Sequence, residues 1–424
     1  MGNLFDYVNE YGDIKIEEKP LTEVDLIIFA QFCYLDFLKG CPEFKEESKS
    51  INFLANKLKE INYSNKLGVL VPDTVLPLFY LMSTKKRYKD LFLSSYEKVI
   101  DKNNVEQFCA ITIIINDKLK VVSFCGTDDS IVGWEENLNM LYLKATPSQI
   151  RSKDYLNRQS NGYKGCLYVT GHSKGGNLAF YSVLHSNRYT KEKLIKVYSF
   201  DGPGLTETDC KSLSKSKIYD KYLSYITECS VVGKLFENTA KTIICKSSNK
   251  GLLQHDSFSW IIEGDSFVKS DTETEESINI DKSIKEIIES MSEKEKQDFT
   301  GALFKVISYT SADNLVDIKL KHSLSVIKGY FKMNSEDRKL LRKIAMKMVK
   351  NKYLRKIFID CVVDFSKKKP YKDSNDSTIQ EKTKKKLFYK DNKSKTQEDD
   401  NTKDIESNTN IEESNKENIE ESDK

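Results

Sequence analysis

Gly171, Ser173 and Gly175 form a Gly-x-Ser-x-Gly turn within residues 167–180. A short run of β-branched and aromatic residues enters the turn, and an amphipathic helical pattern leaves it. Strand, turn and helix in this order predict a nucleophile elbow, in which strained backbone presents a serine oxygen at the sheet edge. The glycines let strand and helix approach closely, and the first helical N–H groups point to where negative charge develops. The competing interpretation is a glycine-rich turn whose serine only caps the helix.

A serine nucleophile needs a base, which is normally histidine, and the chain has four histidines. His172 adjoins Ser173, where neighbouring side chains diverge. His185 lies more than three helical turns farther on at ~1.5 Å per residue, and His322 lies in a charged helical region. His255 remains, in a polar loop after the last strand-like run, which is where an α/β-hydrolase places its histidine. The alternative is a loop histidine without a catalytic role.

The acid that orients the histidine should lie between nucleophile and base in the chain. Asp201 directly follows the strand-like run 197–200, and the carboxyl ends of parallel strands form the edge on which such sheets build their sites. Glu228 follows a weaker run, and Asp256 adjoins His255 but would point away from it. Asp201 is the preferred acid, although Asp before Gly-Pro is also ordinary turn chemistry. Glu228 and Asp256 stay open as alternatives.

An oxyanion hole needs two donors, and we expect one to be the backbone N–H of Lys174, immediately after the nucleophile. The second should come from the loop after strand-like residues 119–125, where Thr127 can offer its N–H and its hydroxyl. The same loop can serve only as a turn and helix cap before Trp134, and both interpretations are compatible. We expect the ammonium group of Lys174 to be solvated or to contact the edge of the substrate.

These motifs together resemble a bacterial family of lipase-like α/β-hydrolases of unknown function, related to the fungal-type (class three) lipases. The resemblance covers about residues 1–268 and is carried by residues 123–129 with Gly133 and Trp134, 171–177, 200–204 and 254–260. It implies an α/β-hydrolase fold, Ser173 as nucleophile, His255 as base and Thr127 at the oxyanion position. Two positions depart from the lipase pattern: Cys125 replaces an arginine that often precedes Gly-Thr, and Ser230 stands about where the acid is expected. The second departure favours Asp201.

Alternating strand and helix patterns predict an α/β fold with a mostly parallel central sheet flanked by helices. Residues 106–115 and 119–125 predict a hairpin that forms an antiparallel edge of this sheet, whereas residues 86–98 have a helical or mixed pattern. We expect an α/β-hydrolase domain over residues 1–268 and a charged helical appendage over 269–366. Residues 367–424 have almost no large apolar side chains and predict a disordered charged tail.

The composition restricts partners and location. A net charge of +3 over 424 residues predicts no nucleic-acid partner, and the spacing of cysteine and histidine predicts neither a metal site nor a cofactor. Cys109, Cys125 and Cys166 fall in apolar runs and are expected to be buried free thiols of a reducing compartment. The N-terminal residues lack a secretory pattern, and no run approaches the ~18 apolar residues of a membrane span, so we expect a cytoplasmic protein.

Residues 338–356 carry nine lysines and arginines and no acid, with apolar residues between them. A basic amphipathic helix of this kind can contact an anionic membrane surface. The preferred interpretation is a solvated basic face on a helix that packs against the main domain.

The predicted function is hydrolysis of carboxylic esters, including acyl lipids, through an acyl-enzyme on Ser173. One alternative is an acyltransferase, in which an alcohol resolves the same intermediate. The other is a non-catalytic scaffold that keeps the fold and uses the appendage and tail for partners. The sequence does not distinguish the two enzymes and does not indicate an oligomeric state.

Overall fold

A computed structural model describes residues 1–64, 73–310, 312–314, 318 and 323–356. These residues belong to one compact unit, Met1–Lys367, and a second unit comprises Lys368–Lys424. The predicted tail at 367–424 lies outside the described residues. The proposed limits of the hydrolase domain and the appendage stay predictions.

The centre of the first unit is a nine-stranded mixed sheet in the order β1-β2-β3-β4-β5-β6-β7-β8-β11. Neighbours from β4 to β8 are parallel, whereas β1 to β4 and the pair β8–β11 are antiparallel. β9 and β10 form a separate two-stranded ribbon. The strands are β1 (Lys49–Ser50), β2 (Phe92–Asp101), β3 (Glu106–Asn116), β4 (Leu119–Phe124), β5 (Cys166–His172), β6 (Leu194–Phe200), β7 (Tyr222–Thr227), β8 (Lys241–Cys245), β9 (Ile262–Glu263), β10 (Ser266–Phe267) and β11 (Lys269–Ser270).

The predicted α/β fold with a mostly parallel core is confirmed, and two local predictions are corrected. The hairpin β3–β4 forms, but it is not the edge of the sheet, because β2 and β1 extend the antiparallel side by two more strands. The helical or mixed interpretation of residues 86–98 is wrong from Phe92 onward. A bulge in the β2–β3 register between Ser94 and Glu97 interrupts the alternation of buried and exposed residues, which removes the period-two signal of a strand.

Thirteen α-helices are described. They are α1 (Leu4–Tyr11), α2 (Glu23–Phe32), α3 (Ile51–Glu60), α4 (Val75–Met82), α5 (Ile131–Asn139), α6 (Pro147–Ser160), α7 (Lys174–His185), α8 (Arg188–Lys193), α9 (Glu207–Ser214), α10 (Glu275–Glu289), α11 (Glu293–Ser308), α12 (Ser323–Lys332) and α13 (Ser335–Lys350). Among them, no helix is both long enough and apolar enough to cross a bilayer.

The sheet is buried on both faces, and β3 shows how the sequence achieves this. Cys109, Ile111 and Ile113 join the core that includes α1–α4, whereas Phe108 and Ala110 join the core that includes α6 and α7. Because successive side chains of a strand point to opposite faces, one continuous apolar run supplies both layers. The edge formed by the carboxyl ends of β4 to β7 is thereby held between two packed helical layers.

The C-terminal helices agree with the predicted helical pattern. Ser292 and Glu295 form the expected capping box at the start of α11. In the basic segment, Ile344 and Leu354 are buried, and α13 packs on α11. The preferred interpretation of a helix packed against the main domain stays a prediction. Contact with an anionic membrane stays a prediction.

The eight cysteines among the described residues are all free, and seven of them are buried. Cys109 and Cys125 are buried as predicted. Cys166 is exposed, because it is the first residue of β5 and precedes the part of the strand that the helices cover.

Candidate active site

Ser173 lies at a sharp turn between β5 and α7. Its backbone has φ 58° and ψ −133°, a sparsely populated conformation for a residue with a side chain. Its N–H donates to Phe200 O at 2.9 Å, so the turn is still attached to the neighbouring strand β6. Ser173 is partly exposed between buried His172 and buried Lys174. The geometry agrees with the predicted elbow.

The glycines of the motif are required by close backbone contacts. A Cβ at Gly171 would lie 2.1 Å from Gly175 O, across the turn. A Cβ at Gly175 would lie 2.2 Å from Phe124 O, at the end of the adjacent strand β4. Any larger residue at either position would therefore separate α7 from the sheet and move Ser173.

His255 and Asp201 form a buried pair beside the elbow. Asp201 follows β6, and its Oδ2 lies 2.6 Å from Nδ1 of His255. Asp201 is fully buried and His255 is 7% exposed. With Nδ1–H donating to the carboxylate, Nε2 of His255 carries a lone pair and can accept a proton.

Asp201 is held by more than the histidine. Its N–H donates to Tyr225 O at 2.7 Å, and its Oδ1 accepts a short hydrogen bond from the Ser230 hydroxyl. Burial by itself raises the pKa of this carboxyl, but the hydrogen bond and charge of His255, and the bond from Ser230, leave the pKa of Asp201 below its usual range. Ser230 stands where the lipase pattern expects the acid, in the loop after β7, and its hydroxyl group thus holds the carboxylate of Asp201 in place.

The two alternative acids have other partners. Glu228 Oε1 accepts a hydrogen bond from Ser270 Oγ at 2.7 Å, near the antiparallel edge strand β11. Asp256 caps the short helical turn after His255, where its Oδ1 accepts from Phe258 N at 3.0 Å. Of the three candidates, the geometry favours Asp201. The assignment of Ser173, His255 and Asp201 as a triad stays a prediction.

His172 has a role that the sequence did not reveal. Its ring lies 4.7 Å from the His255 ring, and its Nε2 lies 2.9 Å from His255 O. Since the carbonyl can only accept, Nε2 carries the proton, and Nδ1 is buried without a partner in the described part of the chain. Burial, reinforced by the nearby charge of His255, lowers the pKa of His172 to about 3. His172 is therefore neutral and holds the backbone of His255.

The loop of His255 is fixed by two neighbouring side chains. Gln254 Oε1 accepts from Cys229 N at 2.8 Å, and Gln254 Nε2 donates to Asn249 O at 3.1 Å. The buried indole of Trp260 donates to Gln254 O at 2.9 Å. Without such bonds a histidine on an irregular loop would not keep one orientation.

The two predicted oxyanion donors, Lys174 and Thr127, follow the neighbouring parallel strands β5 and β4 and lie at the same edge of the sheet. Lys174 is the first residue of α7, so its N–H is one of the unpaired groups at a helix N-terminus. Thr127 is 7% exposed, and its Oγ1 accepts from Asn137 Nδ2 at 2.7 Å. Because that bond uses an acceptor site of Thr127, its hydroxyl proton remains available to a developing oxyanion.

The prediction of a solvated Lys174 side chain is wrong. Lys174 is 2% exposed, and its ammonium group forms a short ion pair with fully buried Glu136 and donates to Gln107 O at 2.6 Å. The same carboxylate accepts from Gln107 N at 2.9 Å and from Ser148 N at 2.8 Å. This buried pair connects the residue after the nucleophile to β3, α5 and α6, and α5 follows directly after the Thr127 loop.

The site opens into a cavity of about 1140 Å³. Ser173, His255 and Thr127 line one part of it, and apolar side chains from α5, residues 231–236 and all four C-terminal helices line the rest. Lys174 and Arg342 are the only residues of formal charge among the described lining residues. A cavity of this composition fits an apolar group attached to the reacting centre.

The remaining features bear on what the site can bind. Within the described ranges, no group of three or more His, Cys, Asp or Glu side chains could hold a metal ion.

The sequence analysis assigned no role in the site to three residues that the structure places there: Glu136, Gln107 and Ser230. The sequence did carry a signal for Ser230, because this residue stands at one of the positions where the chain departs from the lipase pattern.

Comparisons with known proteins agree with the predicted resemblance. Among solved structures, the chain is similar to M37 lipase, with 15% identity and a TM-score of 0.33 over 50% of this chain and 70% of that one. It is also similar to the Rhizomucor miehei lipase in its propeptide complex, with 14% identity and a TM-score of 0.33 over 53% and 68% of the two chains. At these values the similarities bear on neither substrate nor mechanism. A comparison with curated proteins finds no match. Residues 82–305, just over half of the sequence, match the family model described as Mbeg1-like, and the chain belongs to the Mbeg1-like family.

Proposed function

We propose that this protein is a serine hydrolase that cleaves carboxylic esters of acyl lipids through an acyl-enzyme on Ser173. The observation that carries the proposal is the strained turn at Ser173 next to a buried His255–Asp201 pair, with Ser173 and His255 lining one cavity. Strained backbone and a buried histidine–carboxylate pair are features that cost stability and concentrate at catalytic sites. The apolar lining supports an acyl group as the part of the substrate that enters.

The first step is acylation. Oγ of Ser173 attacks the ester carbonyl carbon while its proton passes to Nε2 of His255. Asp201 keeps the proton on Nδ1 and stabilises the imidazolium that forms. The N–H of Lys174 and the hydroxyl of Thr127 donate to the developing oxyanion, where losing one such donor typically costs ~2.7–4 kcal/mol of barrier.

Acylation is complete when the carbon–oxygen bond to the alcohol breaks and His255 gives its proton to the leaving alcohol oxygen. The second step, deacylation, releases the acid. A water molecule then transfers a proton to Nε2 and attacks the acyl-enzyme carbonyl. Collapse of that intermediate breaks the bond to Ser173 Oγ, which regains the proton, and the carboxylic acid leaves.

The test is turnover of p-nitrophenyl butyrate by the full chain and by two serine variants. We expect Ser173→Ala to abolish turnover and Ser212→Ala, on the exposed side of α9, to keep it. Turnover that persists in Ser173→Ala would contradict the proposal. Folded wild-type protein without turnover would favour a scaffold role, and transfer of the acyl group to an added alcohol would favour an acyltransferase.

A reducing, cytoplasmic location is proposed on separate grounds. The eight described cysteines are all free, although seven of them lie within the packed interior. Secreted proteins that carry this many cysteines usually pair them.

A further inference from the structure

The C-terminal helices are attached to both loops that build the candidate active site. Ile131 N donates to Asp313 O at 2.9 Å, and Ser130 pairs with Asn314, so the segment after α11 is bonded to the loop that follows Thr127. At the other side, Ser277 Oγ of α10 donates to Ser230 O at 2.9 Å, and Ser230 in turn supports Asp201. α10 and the segment after α11 are therefore bonded directly to the two loops of the candidate site.

The same helices enclose the apolar part of the cavity. α11 packs on α5, next to the oxyanion loop, and α12 and α13 pack on α11 as an outer layer. Each helix contributes apolar side chains to the lining, among them Ile287 on α10, Leu303 on α11 and Ile344 on α13. The lining also includes Ile327 and Phe331 of α12, which are 53% and 68% exposed and mark where the cavity meets solvent.

The size and composition of the cavity indicate what occupies it. Its volume of about 1140 Å³ exceeds the ~300–1,000 Å³ of pockets that hold drug-sized molecules. The cavity is continuous from Ser173 and His255 to the outer helices, and among the described lining residues of those helices only Arg342 is formally charged. A polar headgroup would lose its hydration there without compensating bonds, whereas an acyl chain would gain from every methylene that is covered.

We propose that α10–α13 form the wall of a long-acyl-chain pocket, and that Ile344 on the outer helix α13 limits the chain length that the pocket accepts. This inference rests on the proposed function, because it assigns the acyl group of the ester to the cavity. Ile344 is 2% exposed and lines the cavity, so enlarging it must take volume from the pocket. Covering one methylene is worth about 0.8 kcal/mol, which is about fourfold in kcat/KM.

The test compares chain-length selectivity in two variants of the same helix. For the full chain we measure the ratio of kcat/KM for p-nitrophenyl palmitate to that for p-nitrophenyl butyrate. We expect Ile344→Trp to lower this ratio at least tenfold. The matched control is Met346→Trp, since Met346 is 48% exposed and lies outside the cavity lining, and it should leave the ratio unchanged.

Equal ratios in wild type and Ile344→Trp would overturn the proposal, as would an equal loss in both variants. If circular dichroism shows that Ile344→Trp does not fold, Ile344→Ala replaces it. That variant should shift the longest well-used chain upward, and an unshifted profile would overturn the proposal.

A binding experiment separates this inference from the proposed catalysis. cis-Parinaric acid, a fluorescent long-chain fatty acid, is titrated into the Ser173→Ala protein with and without Ile344→Trp. We expect saturable binding that Ile344→Trp weakens at least tenfold and Met346→Trp does not change. Absence of binding would overturn the pocket and leave the proposal of ester hydrolysis at Ser173 standing. Binding without any esterase activity in the wild-type protein would support the pocket and contradict ester hydrolysis.

Discussion

Replacing Lys174 by methionine tests the buried ion pair beneath the nucleophile. Lys174 is 2% exposed and Glu136 is fully buried, so the change leaves a carboxylate in the interior without its cation. Breaking a buried pair in this way typically costs 3–5 kcal/mol. Because Glu136 keeps the bonds from Gln107 N and Ser148 N, we expect the lower end, about 3 kcal/mol.

The assay is urea unfolding followed by circular dichroism. With a slope of about 3 kcal/mol/M, a loss of about 3 kcal/mol lowers the midpoint by about 1 M. The control is Arg188→Met, which breaks an ion pair with Glu192 on the exposed surface of α8 and should cost at most about 0.5 kcal/mol. Adding Glu136→Gln to Lys174→Met removes the unpaired charge and should recover at least half of the lost stability.

A midpoint for Lys174→Met that matches the surface control would refute the reasoning. It would mean that water or another cation reaches Glu136, and that the pair does not hold α5 against the elbow. A double variant no more stable than Lys174→Met would likewise show that the unpaired charge is not the source of the loss.

Three other outcomes follow from the geometry of the site. Folding lowers the pKa of His172 to about 3, so below pH 7 the unfolded chain binds a proton that the folded chain does not. The free energy of unfolding should therefore fall by about 2 kcal/mol from pH 7 to pH 5 because of His172 alone. His172→Gln should flatten that slope in urea unfolding, while His185→Gln, on the partly exposed surface, should not; equal slopes would contradict the burial argument. Asp201→Asn should lower the acylation rate about 10³–10⁴-fold in stopped-flow assays, because the amide no longer keeps the proton on Nδ1 of His255; a loss under tenfold would assign the acid elsewhere. Ser230→Ala should cost about 1.5–3 kcal/mol in urea unfolding, since it removes a bond to a buried carboxylate, and an unchanged midpoint would show that this bond does not contribute.

The features that were predicted well from the sequence depend on residues that are close together in the chain or on the order of elements along it. The elbow is a contiguous stretch whose strand, turn and helix signals are adjacent, and Gly171 and Gly175 are required by contacts within that stretch and with the next strand. The place of Asp201 follows from a general property of parallel sheets, in which strand ends share one edge. Chain order and the small number of histidines then favoured His255.

The features that it did not predict depend on tertiary contacts. Nothing near Lys174 in the chain indicates Glu136, because the two residues are brought together only by the fold, in which both bond Gln107 of β3. Amphipathic spacing in residues 338–356 predicts a helix with an apolar face, but it does not say whether lipid, the main sheet or a cavity covers that face. The β2 bulge shows a related limit, since one extra residue shifts the alternation by which a strand is recognised.

The most direct test of the central claim is labelling with a fluorophosphonate probe, which reacts with activated serine nucleophiles. Peptide mass spectrometry of the labelled full chain should locate one phosphonyl group on Ser173, and His255→Ala should abolish labelling while the protein remains folded. A label on a different residue, or labelling of Ser173 that does not depend on His255, would contradict the account.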